Sequence, residues 1–430
     1  MRNLVSAIIL FSFSFLLFSA PGDLIWKTDI GGATQGKPCI DTDHKMVFVH
    51  ANDKYIYAFN ALNGMRKWEY FAGNCTYYNY PVYFNGKIYT GKNAAYLIVL
   101  NATNGELLWT FNTRGGYSFP EVFNGILYMG SPDTYFYSLN SDNGSLLWES
   151  NTYYANYTPC LGDTLLFFSG VEKSTASWTN LFCLSATNGI EKWSYRIDNA
   201  NISIPSCYNN LVFYGSPLTD KNLYSFNAQN GTVVWKYKTN GKVGSPVVWD
   251  TKELVYVSSS DNNVYCCDAL TGKLVWKYDA GGVCSTPCIS EGYVFFSSLN
   301  GYITSLNASN SDVFWKYNAD AGSLQGLTYG LQNIYCASGQ QYLYAVEAFD
   351  SGFKNNKSAS HLPAKSFSVS PNPFSSRLSL SLPSSGAIYS LTGQLIMKLD
   401  KGKHSVDTSK WREGVYIIKS NKKTKKIIKM

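Results

Sequence analysis

The chain has 430 residues, of which 45% are hydrophobic, 16% aromatic and 15% charged. Such a composition can bury one or two substantial cores and excludes both a disordered chain and a small disulfide-stapled one. The formal net charge of +7 is unevenly placed: residues 361–430 hold 13 Lys/Arg against 3 Asp/Glu, whereas residues 21–350 hold 20 against 26, so the body of the chain has no basic surplus for nucleic acid.

Met1-Arg2-Asn3, the apolar run Leu4 to Phe18 and then Ser19-Ala20 have the charged start, short apolar middle and small-residue end of a secretory signal peptide over residues 1–20. A helix of that run spans about 22 Å, short of the roughly 30 Å of a bilayer core. Removal is therefore expected over a retained anchor, and the mature chain is read without a transmembrane span. No cysteine follows the run, which argues against a lipoprotein.

Residues 21–350 repeat one unit. Tryptophan recurs at Trp26, Trp68, Trp109, Trp148, Trp193, Trp235, Trp276 and Trp315, at spacings of 39 to 45 residues. Most copies are preceded by a phrase such as Asn60-Ala61-Leu62-Asn63-Gly64 or Asn227-Ala228-Gln229-Asn230-Gly231. An alternating run such as Tyr55-Ile56-Tyr57-Ala58-Phe59 comes before the phrase, and the Asn-Gly pair predicts a tight hairpin turn with positive φ angles. After each tryptophan strand come a loop and a proline, at Pro38, Pro81, Pro120, Pro159, Pro205, Pro246 and Pro287, and then another strand. Four short strands per period of about 40 residues predict an all-β fold, an eight-bladed β-propeller. The eighth copy lacks its tryptophan strand while Leu24-Ile25-Trp26-Lys27 lacks a blade, so the N-terminal strand is expected to close the ring.

The motif Ala-x-Asn-Gly-x-x-x-Trp resembles the repeat of pyrroloquinoline-quinone-type propellers, the family of quinoprotein alcohol dehydrogenases and of the propeller lipoprotein of outer-membrane protein assembly. The resemblance implies that the eight periodic tryptophans dock neighbouring blades. For activity it implies little, because the repeat is shared by members with and without the quinone.

Residues 351–365 read as a polar linker, after which the repeat is gone. Residues 366–430 contain Pro371-Asn372-Pro373, Tyr389-Ser390-Leu391-Thr392-Gly393, Gly414-Val415-Tyr416 and a basic, aliphatic end, and read as a small β-sandwich. In that order these segments resemble the C-terminal sorting domain of the type IX secretion system, departing from it at Ser390, where an acidic residue or asparagine is usual. The resemblance implies passage across the outer membrane, with the secretion machinery and its sorting peptidase as partners, and release or attachment at the cell surface. An ordinary carbohydrate-binding or spacer sandwich is the alternative.

Chemistry leaves few traces. Eight of the ten cysteines, Cys39, Cys160, Cys183, Cys207, Cys266, Cys267, Cys288 and Cys336, fall in strand slots that other copies fill with small or apolar residues, so core filling by free thiols is expected. The vicinal pair Cys266-Cys267 lies within a strand and should point to opposite faces. The histidines are scattered, and no nucleophile elbow, zinc motif, phosphate loop or EF-hand loop occurs. Asp53, Asp133 and Asp261 are read as turn caps and not as metal ligands.

One feature lies outside the repeat. Tyr77, Tyr78, Tyr80, Tyr117, Phe119, Tyr153, Tyr154 and Tyr157 crowd three consecutive loops that follow tryptophan strands and should gather on one sector of a rim, where tyrosine stacks on sugars or docks peptide. Packing against each other, or lining the channel as filler, is the equal alternative. The expectation is a secreted or surface-attached monomer without a catalytic site, binding a glycan or a surface protein; the alternatives are a quinoprotein oxidoreductase with pyrroloquinoline quinone and calcium in the channel, and an assembly scaffold holding protein partners.

Overall fold

The computed structural model describes residues 20–349, apart from short stretches at 35, 74–79, 93–95, 115–119, 132, 152, 155–157, 173–178, 198–202 and 217–219, and then the strands between 368 and 429. The signal segment and the linker lie outside the described residues.

Eight antiparallel sheets make up the repeat region. Blade 5 is representative: Ser206–Tyr208, Leu211–Gly215, Asn222–Asn227 and Val233–Lys238 pair in sequence order. Its second strand sends Val212 and Tyr214 toward blade 4 and Phe213 toward blade 6. Successive side chains of a strand alternate between faces, and here both faces meet a neighbouring sheet, which is why the central strands read as nearly unbroken apolar runs. The outer strand alternates with solvent instead. The N-terminal strand Leu24–Asp29 pairs with Tyr342–Glu347 as the outer strand of blade 8, so the ring is closed by joining the two ends of the repeat region.

The hairpin turn differs from the expected two-residue form. Asn227 N–H donates to the Thr232 carbonyl and Gly231 N–H to the Asn227 carbonyl, while the Asn227 side chain accepts from Gln229 N–H at 2.9 Å. Gly231 takes φ +70°, and Asn230 does not share the left-handed region. The asparagine that matters most is thus the one that opens the phrase, its side chain imitating a backbone turn. One residue further on, the register slips between Ser225 and Phe226, a bulge that leaves Val233 and Val234 both facing solvent.

The tryptophans lock blade to blade. Trp235 donates its indole N–H to the Ala269 carbonyl of the next blade at 3.0 Å, and its ring lies where a Cβ on Gly272 would sit, 2.5 Å away. The same donation joins Trp26 to Ala61, Trp68 to Ala102, Trp148 to Ala186, Trp193 to Ala228, Trp276 to Ala308 and Trp315 to Ala348. Trp109 is the exception: Ser141 stands in the alanine slot and the indole N–H is buried without an acceptor.

The aspartates cap turns. Asp261 accepts from Asn263 N–H at 3.1 Å and from the Tyr265 hydroxyl at 2.7 Å, and Asp53, Asp133 and Asp220 hold Tyr57, Tyr137 and Tyr224 in the same way.

The C-terminal region is a separate small β unit of two sheets. One joins Ser368–Ser370, Arg377–Leu382 and Gly402–Asp407; the other orders Leu395–Leu399, Gly386–Ser390, Gly414–Ser420 and Lys423–Lys429. Ile388, Leu399, Val406, Tyr416 and Ile418 supply its buried side chains.

The interlock makes opposite predictions at two equivalent turn positions. Gly231→Ala must hold a left-handed residue and place a Cβ 2.6 Å from the Trp193 ring, and a loss of about 2–5 kcal/mol is expected in chemical denaturation. Blade 7 already has Ser311 at φ +63° in the glycine slot, so Ser311→Gly is expected to raise stability by about 0.5–1 kcal/mol.

Candidate functional site

The first strand of each blade is the innermost, and the buried prolines fix where it begins. A residue before proline is held extended, so the described pre-proline positions line up around the channel mouth: Lys37, Tyr80, Thr158, Ile204, Ser245 and Thr286, with Gly326 in the matching register of blade 8. Phe119 lies outside the described residues. Most inner strands are half-exposed along their length, as strands beside a wet channel should be.

Side chains from distant blades meet here. The Tyr80 hydroxyl of blade 2 and the Thr158 hydroxyl of blade 4 are 2.7 Å apart. Lys37 of blade 1 places its ammonium 5.4 Å from the centre of the Tyr80 ring. Burial pushes the Glu121 carboxyl of blade 3 above its ordinary range, partly offset by the Lys37 charge. The same charge reaches Cys39 and Cys288, yet burial dominates and holds both thiols up, so neither is a ready nucleophile.

The cysteine expectation needs correction at two positions. Cys160 and Cys207 are joined by a disulfide between the inner strands of blades 4 and 5, closing a sequence separation of 47. The first residue after each repeat proline faces the next blade and the second faces the preceding one; Cys160 and Cys207 occupy those two slots in adjacent blades. Cys183, Cys266, Cys267 and Cys336 are free and buried, with Cys266 and Cys267 in the cores on opposite sides of blade 6. Cys75 lies outside the described residues.

His50 departs from its slot. His50 pairs with Ile56, and the second-strand residue opposite the equivalent aliphatic side chain is Gly91, Gly215, Ser169, Ser258, Ser297 or Ala337 in other blades. His50 is buried between blades 1 and 2, with Nδ1 3.2 Å from the Thr90 hydroxyl and Nε2 without a partner. Burial depresses its pKa to about 4.

Of the rim residues expected from the loops, Tyr77, Tyr78, Tyr117, Phe119 and Tyr157 lie outside the described residues. Tyr153 and Tyr154 form a short extra strand whose backbone pairs with Glu172 and Val171, making blade 4 five-stranded. Tyr80 follows the filler alternative: before Pro81 it is buried, at 8% exposure, with its hydroxyl on Thr158.

A different aromatic set does reach the rim. The first residue of the third strand is Tyr302, Tyr342, Tyr55, Tyr96 and Tyr135 in the consecutive blades 7, 8, 1, 2 and 3. At the same register blades 4 to 6 carry asparagine, as Asn180, Asn222 and Asn263, paired with Arg196, Lys238 and Asp279. Phe71, 55% exposed, pairs with Tyr55 at a slot that other blades fill with charged or amide residues, and the two rings meet edge to face at 5.3 Å. Tyr96 is 40% exposed. Lys27 sits over Tyr342 at 3.9 Å, Lys316 over Tyr302 at 5.0 Å and Arg114 over Tyr135 at 5.3 Å. Comparing third-strand starts across copies would have found this arc; attention to the loops passed over it.

The family profile described as outer membrane protein assembly factor BamB matches residues 16–78, 78–170, 174–246 and 219–352. The chain belongs to this family. A secretion system C-terminal sorting domain matches residues 368–430, and with it the protein is exported by type IX secretion to the cell surface or beyond. BamB from Moraxella catarrhalis is 14% identical with a TM-score of 0.60, covering 76% of this chain and 99% of its own. A europium-containing methanol dehydrogenase is 13% identical with a TM-score of 0.59, covering 74% and 84%. The designed Ika8 protein is 12% identical with a TM-score of 0.62, covering 74% and 98%. These likenesses show the fold alone. A search of curated proteins returns no match.

Among the described residues the pre-proline positions carry one cation, Lys37, and no group of three His, Cys, Asp or Glu side chains able to hold a metal occurs.

The buried His50 gives the protein a stability slope in acid. Its pKa is depressed in the fold, so its contribution is intact above about pH 6.5 and is lost as pH falls toward 4. Roughly 3 kcal/mol should disappear across that window in urea titrations, and His50→Ser should flatten that part of the profile.

Proposed function

We propose that the protein is a non-catalytic binding module, displayed on or released from the cell surface, whose tyrosine arc receives a glycan. The single observation that carries this reading is the run of rim tyrosines through five consecutive blades, with Phe71 and Tyr96 open to solvent. Aromatic faces stack on the apolar faces of sugar rings, while the hydroxyl tips and nearby Lys and Arg meet sugar oxygens and any acidic substituents. An arc spread over several blades suits an extended chain better than a single sugar, since each stacking contact is weak and the contacts add.

Binding of immobilised polysaccharides by the full-length protein is expected to fall at least tenfold in Phe71→Ala and in Tyr96→Ala, with the melting temperature unchanged. Equal binding by both variants would remove the arc from the reading.

The export signal supplies a separate check. Protein recovered from the medium or surface of its native host should lack residues 366–430 by intact-mass measurement, and a chain truncated before residue 366 should remain in the periplasm.

A further inference from the structure

The arc tyrosines share one register and turn toward the preceding blade, so the arc is a row of seams. Tyr342 packs with the core between blades 7 and 8, and Tyr55 with the core between blades 8 and 1. In the seam of blades 1 and 2, Lys92 is the cross-strand partner of Tyr96, so the two side chains share one face of the sheet. The Lys92 ammonium donates to the hydroxyl of Tyr70 on the outer strand of blade 1 at 3.0 Å. Lys27 lies over Tyr342 at 3.9 Å, and Lys316 lies 5.0 Å from Tyr302 and 5.9 Å from Tyr278 of blade 6. The seam of blades 8 and 1 holds the exposed Phe71 against Tyr55 instead. An open aromatic platform thus has a lysine in the seam on each side of it.

Lys92 is a departure from the repeat. At its register the other blades carry alanine, glycine or serine, such as Ala51, Ser216 and Ser298, so a long cation is not the repeat's own choice there. Lysine follows tryptophan in blades 5 and 6 as well, but asparagine holds the tyrosine register in those blades. Among the described residues the ion pairs are His44–Asp41, Arg66–Glu69 and Arg114–Glu149, so Lys27, Lys92 and Lys316 have no carboxylate within 4.0 Å. Nearby carboxylates are already occupied: Asp29 accepts from Gly31 N–H at 2.7 Å, and Asp53 and Asp133 hold Tyr57 and Tyr137.

We infer that the arc selects an acidic polysaccharide, whose sugar rings stack on Phe71 and Tyr96 and whose acid groups meet Lys92 on one side of Phe71 and Lys27 on the other. This rests on the glycan reading and narrows it. The ring of Tyr342, covered by an ammonium, holds a cation in place, whereas the open rings of Phe71 and Tyr96 are left to stack. A sugar acid on Lys92 makes a charge-assisted hydrogen bond, the stronger kind. Residues 21–350 hold 20 basic against 26 acidic groups, so the body of the chain does not attract polyanions in general and the preference is local to the arc.

Two matched pairs test this on the full-length protein: polygalacturonate against the same polymer with its carboxyl groups reduced to alcohols, and dextran sulfate against dextran. In at least one pair the charged form is expected to bind at least tenfold tighter, with an affinity that falls as sodium chloride is raised; the pair that responds tells carboxylate from sulfate. Lys92→Ser, which restores the residue of other blades, and Lys27→Met should each weaken the charged form about tenfold, leaving the neutral form and the melting temperature unchanged. Phe71→Ala should weaken both forms. Neutral polymers bound as tightly as charged ones, poly-glutamate bound as tightly as either charged polysaccharide, or full affinity for the charged form in both lysine variants would each overturn the inference. If Phe71→Ala still impairs binding in those cases, the rim reading stands without it.

Discussion

The structure depends on one contact used around the ring: a tryptophan ring laid on the turn glycine of the next blade, with its indole N–H on the alanine carbonyl of the same turn. Each half constrains the other. The glycine is required by a left-handed φ and again by the ring above it, since a Cβ at Gly64, Gly105, Gly189, Gly231 or Gly272 would lie only 2.5 to 2.8 Å from the indole. The alanine offers its carbonyl from inside the turn that the opening asparagine holds. Docking therefore fixes the turn, and the turn fixes the docking. Because blade 8 borrows its outer strand from the N-terminus, the interlock continues through Trp26 to blade 1, and the inner strands are held in a closed circle.

That circle determines what the channel can do. With the outer strands locked, the inner strands need not pack tightly, and they stay half-exposed beside water. Positions before the repeat prolines are then free to vary, from Lys37 through Tyr80 to Thr286. Between blades 4 and 5 the wall is also tied covalently by Cys160–Cys207, and blade 4 is the one whose second and third strands run longest. Oxidation there agrees with export, since disulfides persist outside the cytoplasm.

Most of the fold was legible because the repeat states its constraints eight times over. The blade count, the strand order and the closure by Leu24–Asp29 all follow from spacing. The site was less legible, for a physical reason: function in a repeat protein sits in departures from a slot, and departures show only once the slots are aligned by register. Cys160 and Cys207 look like core thiols one at a time; their pairing needs the rule that the first residue after proline faces forward and the second faces back. Tyr80 looks like a rim residue until its hydroxyl is seen to meet Thr158 of blade 4. Tyr55 and Tyr96 look like ordinary strand residues until the asparagines of blades 4 to 6 are set beside them.

Aligned in this way, the departures separate into two levels of the same face. His50 and Lys37 sit at or near the inner strands and carry charge or latent charge, whereas Phe71 and the tyrosine arc lie further out and are apolar with polar tips. Charge is most effective where water is restricted and the surroundings are fixed, and aromatic stacking is most effective where a long ligand can lie across several blades. The radial arrangement follows from the propeller itself, whose broad rim favours an extended ligand. The tyrosines begin the third strand in blades 7 through 3, while asparagine holds the same register in blades 4 through 6, so the eightfold scaffold departs from sameness in one continuous sector.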